Sequence, residues 1–244
     1  MIQEPFYSWQ EEHFAIELGG ARAVFTTRHG GFSTGPYASL NLGRFTDDRP
    51  EAVERNRATL EQQVGRGLTF VRQVHGARVQ VRSAPPEEGR ALEEADGQVV
   101  AEDGLAPVAL TADCLPVALG TTRAVAMLHA GWRGLASGVI AKGIEALRGL
   151  GAGEPIAAAI GPGAGRCCYE VSEEVHRRFA ADAAIARQGN NLDLKAVARR
   201  QLNMGGVEVV HDIGLCTICN PSLFFSHRRD RGLTGRQAGV IWLS

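Results

Sequence analysis

The sequence predicts a single α/β domain of the α+β kind, spanning residues 1–244, with one mixed sheet or two stacked sheets flanked by helices. Three observations carry this expectation. Many short apolar runs are bounded by Gly, Pro, Asp or Ser, the pattern of buried strands. About four stretches place apolar residues at helical spacing. Strands and helices do not alternate one for one, which argues against a simple doubly wound sheet. No repeat, low-complexity block or linker-like segment divides the series.

After a polar lead, Ala21 to Thr27 reads as a short buried strand. The glycine-rich stretch from Arg28 to Gly35 then breaks regular structure, and Ser39 to Gly43 continues as loop or short strand. So long an irregular stretch inside a compact domain is functional or mobile. Pro50 to Val64 is an amphipathic helix opened by Pro50 near its first turn. Leu68 to Val74 reads as a strand running into His75-Gly76, and Ala77 to Val81 as the next. Ser83 to Glu94 is a Pro/Glu/Gly surface loop. Strands are expected at Gln98–Ala101, Pro107–Leu110, Leu115–Leu119 and Ala124–Leu128. Gly134 to Leu150 carries one apolar face at helical period. Ile156 to Ile160 is a strand, and Ser172 is a suitable N-cap for a helix to about Ala181. Leu192 to Met204 is a helix ended by Gly205-Gly206. Val207–Val210, Leu223–Ser226 and Ala238–Leu243 complete the strands.

Composition narrows the functional classes. Apolar residues make up 44% and charged residues 22% of the 244 positions, ordinary values for a globular protein. A net charge of −1 offers no basic field for nucleic acid or an anionic membrane, so neither is an expected partner. No run approaches membrane-spanning length, and the N-terminus lacks the apolar core of a secretory signal. Cysteines at 114, 167, 168, 216 and 219 form an odd set, which with no signal suggests reduced thiols in a cytoplasm. Lys142 and Lys195 are the only lysines, which looks like GC-rich coding rather than function.

The stretch Leu110–Gly134 concentrates the chemistry. Cys114 lies between apolar runs, and a later run ends in His129, followed by Ala130-Gly131-Trp132-Arg133-Gly134. A hairpin between them can put both side chains at the same end of a sheet. A thiol beside an imidazole is either a nucleophile with its base or part of a zinc site. His75, in Gln73-Val74-His75-Gly76, sits at a strand end in the same kind of context. Two histidines and one cysteine would make a three-ligand zinc site with an open position for water.

Elsewhere, Cys216-Thr217-Ile218-Cys219 is a lone C-x-x-C with His211 nearby. A redox pair or half of a structural zinc site is conceivable, but two reduced, packed thiols are favoured. The adjacent Cys167 and Cys168 are expected to be buried.

Several motifs together carry a resemblance: TTRHGGFS with SLNLG (26–43), QVHG (73–76), ADG (95–97), TADCLPV (111–117), HAGWRG (129–134), AIGPG with CCYEV (159–171) and FFSHRRD with TGRQA (224–238). In this order, over nearly the whole chain, they resemble the YfiH/LACC1 family. Its members have been called multicopper polyphenol oxidases, purine nucleoside phosphorylases and peptidoglycan editing factors. The resemblance implies stacked sheets covered by helices, related to the cysteine-hydrolase fold of certain deamidating toxins. It implies one zinc ion per chain, held by His75, Cys114 and His129. It also implies phosphorolysis of adenosine, inosine, guanosine and methylthioadenosine, and hydrolytic deamination of adenosine.

Elementary chemistry adds candidate roles within that frame. Lowering the pKa of water at zinc suits deamination at C6 of adenine, with Asp113 as candidate proton shuttle or else a turn residue. Phosphorolysis needs a cation for phosphate. Arg133, opening a predicted helix, is the first candidate and Arg28 the second. Asn41 is a candidate for a ribose hydroxyl or a base edge. Asp230 and Arg236 are expected to form a supporting ion pair. The expected partners are purine nucleosides and phosphate, acting on a monomer or small homo-oligomer.

A multicopper oxidase needs many imidazoles, and seven histidines without a His-x-His pair do not supply them. A metal-free amidase with Cys114 as nucleophile and His129 as base, editing a misincorporated serine in cell-wall precursors, remains the main rival. A non-enzymatic binding module is the third class.

Overall fold

The computed structural model describes residues 3–84, 91–150, 155–207 and 209–244. Its elements in chain order are β1 (Tyr7–Trp9), β2 (His13–Glu17), β3 (Ala21–Phe25), α1 (Pro50–Val64), β4 (Gly67–Thr69), β5 (Val79–Arg82), β6 (Gly97–Val100), β7 (Leu105–Thr111), β8 (Leu115–Gly120), β9 (Val125–Ala130), α2 (Trp132–Ala136), α3 (Val139–Gly149), β10 (Ala157–Ile160), α4 (Glu173–Arg178), α5 (Ala183–Ala186), β11 (Arg187–Gln188), β12 (Asn191–Leu192), α6 (Leu194–Met204), β13 (Val209–Asp212) and β14 (Gln237–Leu243). Residues 85–90 of the expected Ser83–Glu94 loop lie outside the described residues.

Two six-stranded mixed sheets dominate, ordered β1-β2-β3-β14-β7-β4 and β13-β10-β8-β9-β6-β5. They stack face to face through Ile16, Ala23, Phe25 and Ile241 of the first against Ala118, Met127 and Ala159 of the second. The outer face of the second sheet, through Val117, Leu119 and Leu128, packs on Ile140, Ile144 and Leu147 of α3 and Val197 and Leu202 of α6. The outer face of the first, through Val24, Val108 and Val240, is covered by Leu60 and Val64 of α1. Central strands are thus buried on both faces, which is why the sequence shows continuous apolar runs rather than strict alternation.

Several expectations shift for local physical reasons. The strand expected at Leu68–Val74 pairs with β7 only to Thr69, opposite Pro107, which has no N–H to continue the ladder, and Arg72 makes only an isolated bridge to Glu94. Beyond it the Gln73 side-chain amide donates to the Leu110 carbonyl at 2.8 Å and accepts from the Leu110 amide at 2.8 Å. Leu223–Ser226 is not a strand, because the Gln237 side chain satisfies both the amide and the carbonyl of Phe225. The expected helix Gly134–Leu150 is two helices, broken where Gly138 takes φ +84°. The helix after Ser172 ends at Arg178, and Ser172 makes no side-chain cap bond. The polar lead hides β1 and β2, whose Phe14-Ala15-Ile16 core is masked in the sequence by flanking charges.

The irregular stretch after β3 is held, not loose. Asn56 of α1 accepts from the Phe32 amide and donates to Ser33, Ser39 and Asn41, while Arg57 donates to the Leu42 carbonyl.

Space around Gly138 is open, so the constraint there is purely backbone. Gly138→Ala is therefore expected to destabilise the fold by about 1–2 kcal/mol, the cost of a left-handed alanine. A urea titration that leaves the midpoint unchanged would contradict this.

Candidate metal and catalytic site

The chain crosses from the first sheet to the second between β4 and β5 and again between β7 and β8. His75 lies on the first crossing and Cys114 on the second, while His129 lies within β9. The β8–β9 pairing sets Leu115 opposite Ala130 and Pro116 opposite His129, so Cys114 and His129 share one end of the hairpin. The ligand atoms of His75, Cys114 and His129 all lie within 4.8 Å of one another. The two imidazoles meet edge-on, with centroids 4.8 Å apart at 77°. His75 is exposed, Cys114 half-buried and His129 buried, so the group opens to solvent on the His75 side.

Asp96, just before β6, organises the group. Its carboxylate accepts from the amides of His75 at 2.8 Å and Gly76 at 2.6 Å, and more weakly from Val74 at 3.3 Å. It also takes His129 Nδ1 at 2.8 Å, leaving Nε2 as the imidazole's free ligand atom. The amide bonds hold His75 at φ +61°, a left-handed conformation costly for a non-glycine residue. Gly131 is the other requirement, since a Cβ there would come within 2.8 Å of Cys114 Sγ and 3.3 Å of the His75 ring.

The electrostatics follow from this packing. Burial favours a neutral Cys114, but the charge of His129 and hydrogen bonds from both histidines outweigh it and bring the thiol down to about 6. Burial likewise opposes charge on His129, yet Cys114 and Asp96 raise it to about 9. Burial would raise the Asp96 carboxyl, but His129 and the Gly76 and His75 amides hold it below its ordinary value. Without metal the packing favours a thiolate–imidazolium pair backed by a carboxylate. With its two nitrogens and one sulfur it equally suits zinc with a position left open.

Other sequence candidates have different surroundings. Arg133 is exposed at the start of α2, its guanidinium 4.3 Å from the Trp132 ring centroid. Arg28 donates to the Ala38 and Pro221 carbonyls and lies 4.7 Å from the Phe225 ring, an internal strut for the glycine-rich loop. Asn41 is fully buried, donating to Thr46 and Asp48 and accepting from the amides of Gly43 and Arg236. With every polar atom of its side chain so engaged, a bond to substrate would have to break one of these. Asp113, at φ +98°, accepts Thr217 Oγ1 at 2.6 Å and the Arg228 amide at 2.7 Å. Its two oxygens thus clamp the turn that presents Cys114. Asp230 pairs with Arg229, not Arg236, whose guanidinium donates to the Thr234 and Gly235 carbonyls.

Arg236, Tyr169 and Arg228 lie around Asp113 and Cys114, and no local sequence signal marks them as site residues. Burial lowers the Arg236 pKa, while the charges of Cys114 and Asp113 act to raise it. Burial and then the Cys114 charge push Tyr169 up to about 12, with Arg228 and Arg133 acting in the opposite sense. Arg228 also lies 5.1 Å from the Tyr169 ring. Asp96 falls in the ADG motif and Gly131 in HAGWRG, but nothing local in the sequence announces an amide cage or a missing Cβ.

Among known proteins, the family described as multi-copper polyphenol oxidoreductase laccase matches residues 22–244. A purine nucleoside phosphorylase of Corynebacterium glutamicum is 41% identical over 233 residues, covering 91% of this chain and 94% of that protein. The structure of the Bacillus licheniformis hypothetical protein YfiH aligns with a TM-score of 0.88 at 31% identity, over 99% of this chain and 100% of that one. A Neisseria meningitidis protein of the DUF152 family aligns with a TM-score of 0.86 at 36% identity, over 96% and 99%.

In metal-free protein, Cys114 alkylation by iodoacetamide is expected to rise with pH around a midpoint of about 6, because the thiolate is the reactive form. An unperturbed thiol would instead show a midpoint of about 8.5. His129→Ala, which removes the stabilising charge, moves the midpoint upward; an unmoved midpoint would refute the pairing. Asp96→Asn is expected to weaken metal affinity about 10–100-fold, the usual cost of losing a ligand's carboxylate support. Competition with a chromogenic chelator reads this directly.

Proposed function

The chain belongs to the multi-copper polyphenol oxidoreductase laccase family, and we propose that it acts as a zinc-dependent purine nucleoside phosphorylase. The observation that carries this reading is the convergence of His75, Cys114 and His129, with His129 oriented by Asp96. Relatives that match over nine-tenths of the chain bear the name purine nucleoside phosphorylase, which supports the nucleoside and phosphate part. The residues proposed to hold one zinc ion per chain are His75, Cys114 and His129. Zinc bound there would serve as a Lewis acid and lower the pKa of water.

The chain's own groups have separable tasks. Phosphate attacks ribose C1′ as the glycosidic C–N bond breaks, and the purine leaves with the bonding electrons and takes up a proton. Arg133, with Arg228 beside Tyr169, supplies the permanent positive charge that would hold phosphate. Arg28 and Asn41 shape the 28–43 wall from within, a more economical role for them than direct substrate contact. Asp113 is assigned to positioning Cys114 rather than to shuttling protons, because Thr217 and Arg228 occupy its oxygens. Proposed substrates are adenosine, inosine, guanosine and methylthioadenosine, with deamination of adenosine as a second activity. A cytoplasmic setting and a monomer or small homo-oligomer complete the reading; among the described residues no helix is long and apolar enough to cross a membrane.

One observation favours a second reading. Cys114, His129 and Asp96 form a nucleophile, base and orienting carboxylate, the order a cysteine amidase would use. The copper-oxidase reading has less support. Among the described residues only one candidate ligand group contains histidine, and it contains two.

Incubation of zinc-loaded protein with inosine is expected to release hypoxanthine only when phosphate is present, and adenosine without phosphate to give inosine. His75→Ala abolishes both, whereas an amidase dyad does not need His75. Intact turnover and metal content in that variant would overturn the zinc reading. Arg133→Ala is expected to raise KM for phosphate about tenfold, corresponding to one charge-assisted hydrogen bond of about 1.5 kcal/mol. An unchanged KM would remove Arg133 from the anion site.

A further inference from the structure

A second cluster of soft ligands stands apart from the His75–Cys114–His129 group. Cys167 and Cys168 precede Tyr169, and Cys216 and Cys219 close a C-x-x-C turn after β13. The four sulfur atoms all lie within 4.8 Å of one another. Cys219 Sγ is 3.0 Å from that of Cys168 and 3.4 Å from that of Cys167, and the sulfurs of Cys167 and Cys168 are 3.6 Å apart. One sulfur with two near neighbours, and a fourth within reach of all three, is not the arrangement of two separate disulfide pairs. A tetrahedral ion with Zn–S bonds of about 2.3 Å separates its sulfurs by about 3.8 Å, so small side-chain adjustments would seat one. Contrary to expectation, Cys167 is exposed.

The backbone is already arranged for thiolates. The Gly165 amide donates to Cys216 Sγ at 3.2 Å, and the amides of Cys219 and Ile218 are directed to the same sulfur. Such N–H···S bonds neutralise part of the charge of a metal-bound thiolate. A cleft of about 670 Å³ touches Cys167 and Cys216, and its lining carries Arg166, Lys195, Arg199 and Arg200 against Asp193 and Asp212. Arg200 is paired with Asp182, and Lys195 and Arg199 share Asp212, which leaves a small positive excess beside four thiolates on a divalent ion, a group of net double negative charge.

We propose that Cys167, Cys168, Cys216 and Cys219 form a structural tetrathiolate zinc site, distinct from the His75–Cys114–His129 group. Binding releases four thiol protons as four Zn–S bonds form, with no redox change. The closed ligand set leaves no position for water, so this ion ties chain segments together rather than doing chemistry. It joins the loop leading to Tyr169 to the turn whose Thr217 hydroxyl holds Asp113 beside Cys114. The inference does not depend on the catalytic reading.

The test is metal analysis of the full, tag-free chain purified under reducing conditions. About two zinc ions per chain are expected, falling to about one in Cys219→Ser and to about one in His75→Ala, each variant losing a different ion. Cobalt reconstitution of the His75→Ala protein is expected to give the thiolate-to-cobalt charge-transfer bands of a four-sulfur site. Zinc content equal in wild type and Cys219→Ser overturns the proposal, as does iron bound in place of zinc. Peptide masses showing disulfides among the four cysteines in freshly purified protein overturn it too. If Cys219→Ser does not fold, wild-type protein still decides the matter. Chelation is expected to expose these four cysteines together to alkylation, and equal labelling before and after chelation rejects the site.

Discussion

The carboxylate of Asp96 is the point on which the site depends. Buried at 1% exposure, it would be costly as an isolated charge. Three consecutive backbone amides and the His129 ring offset that cost. The same bonds do three structural tasks at once. They hold His75 in a left-handed conformation, orient the His129 ring, and join the β4–β5 crossing to the second sheet. Removing the carboxylate would release two candidate ligands together, whereas losing either histidine removes one.

The sheet architecture explains why the ligands meet here. Both crossings from the first sheet to the second that carry a ligand, His75 and Cys114, reach the end of the sandwich where His129 stands in β9. Helices α3 and α6 press on one outer face and α1 on the other, so both sheets are fixed through their full thickness. Two glutamine side chains, Gln73 and Gln237, replace ladder partners where the main chain leaves a sheet. These substitutions let the chain depart toward the site without stranding buried backbone groups.

Around this core the polar residues divide into struts and free charges. Arg28, Asn41 and Asp113 spend their hydrogen bonds on the protein itself. Arg133 stays exposed, while Arg236 feels the charges of Cys114 and Asp113 but braces the Thr234 and Gly235 carbonyls as well. The two candidate metal-ligand groups differ in the same way. The His75–Cys114–His129 group offers three ligands with an open side, suited to chemistry, whereas the four-cysteine cluster is a closed set suited to structure.

The sequence by itself determined the α/β class, the central strands β7, β8 and β9, and helices α1 and α6, while leaving one mixed sheet or two stacked sheets open. Their apolar patterns and terminators are local and strong, as in Pro50–Val64. It also marked His75, Cys114 and His129, because each interrupts or ends an apolar run. Only the tertiary structure decided what depends on partners distant in the chain. The break at Gly138, the Gln237 replacement of a strand at Phe225 and the amide cage of Asp96 are of this kind. So is the joining of Cys167-Cys168 to Cys216 and Cys219, which are separated by three helices, a hairpin and strand β13. Residue type states what a side chain can bond, but its surroundings decide whether that capacity is already used. That is why Asn41 and Arg28, read in the sequence as substrate candidates, are found in the fold bonded to the protein's own carbonyl, hydroxyl, amide and carboxylate groups.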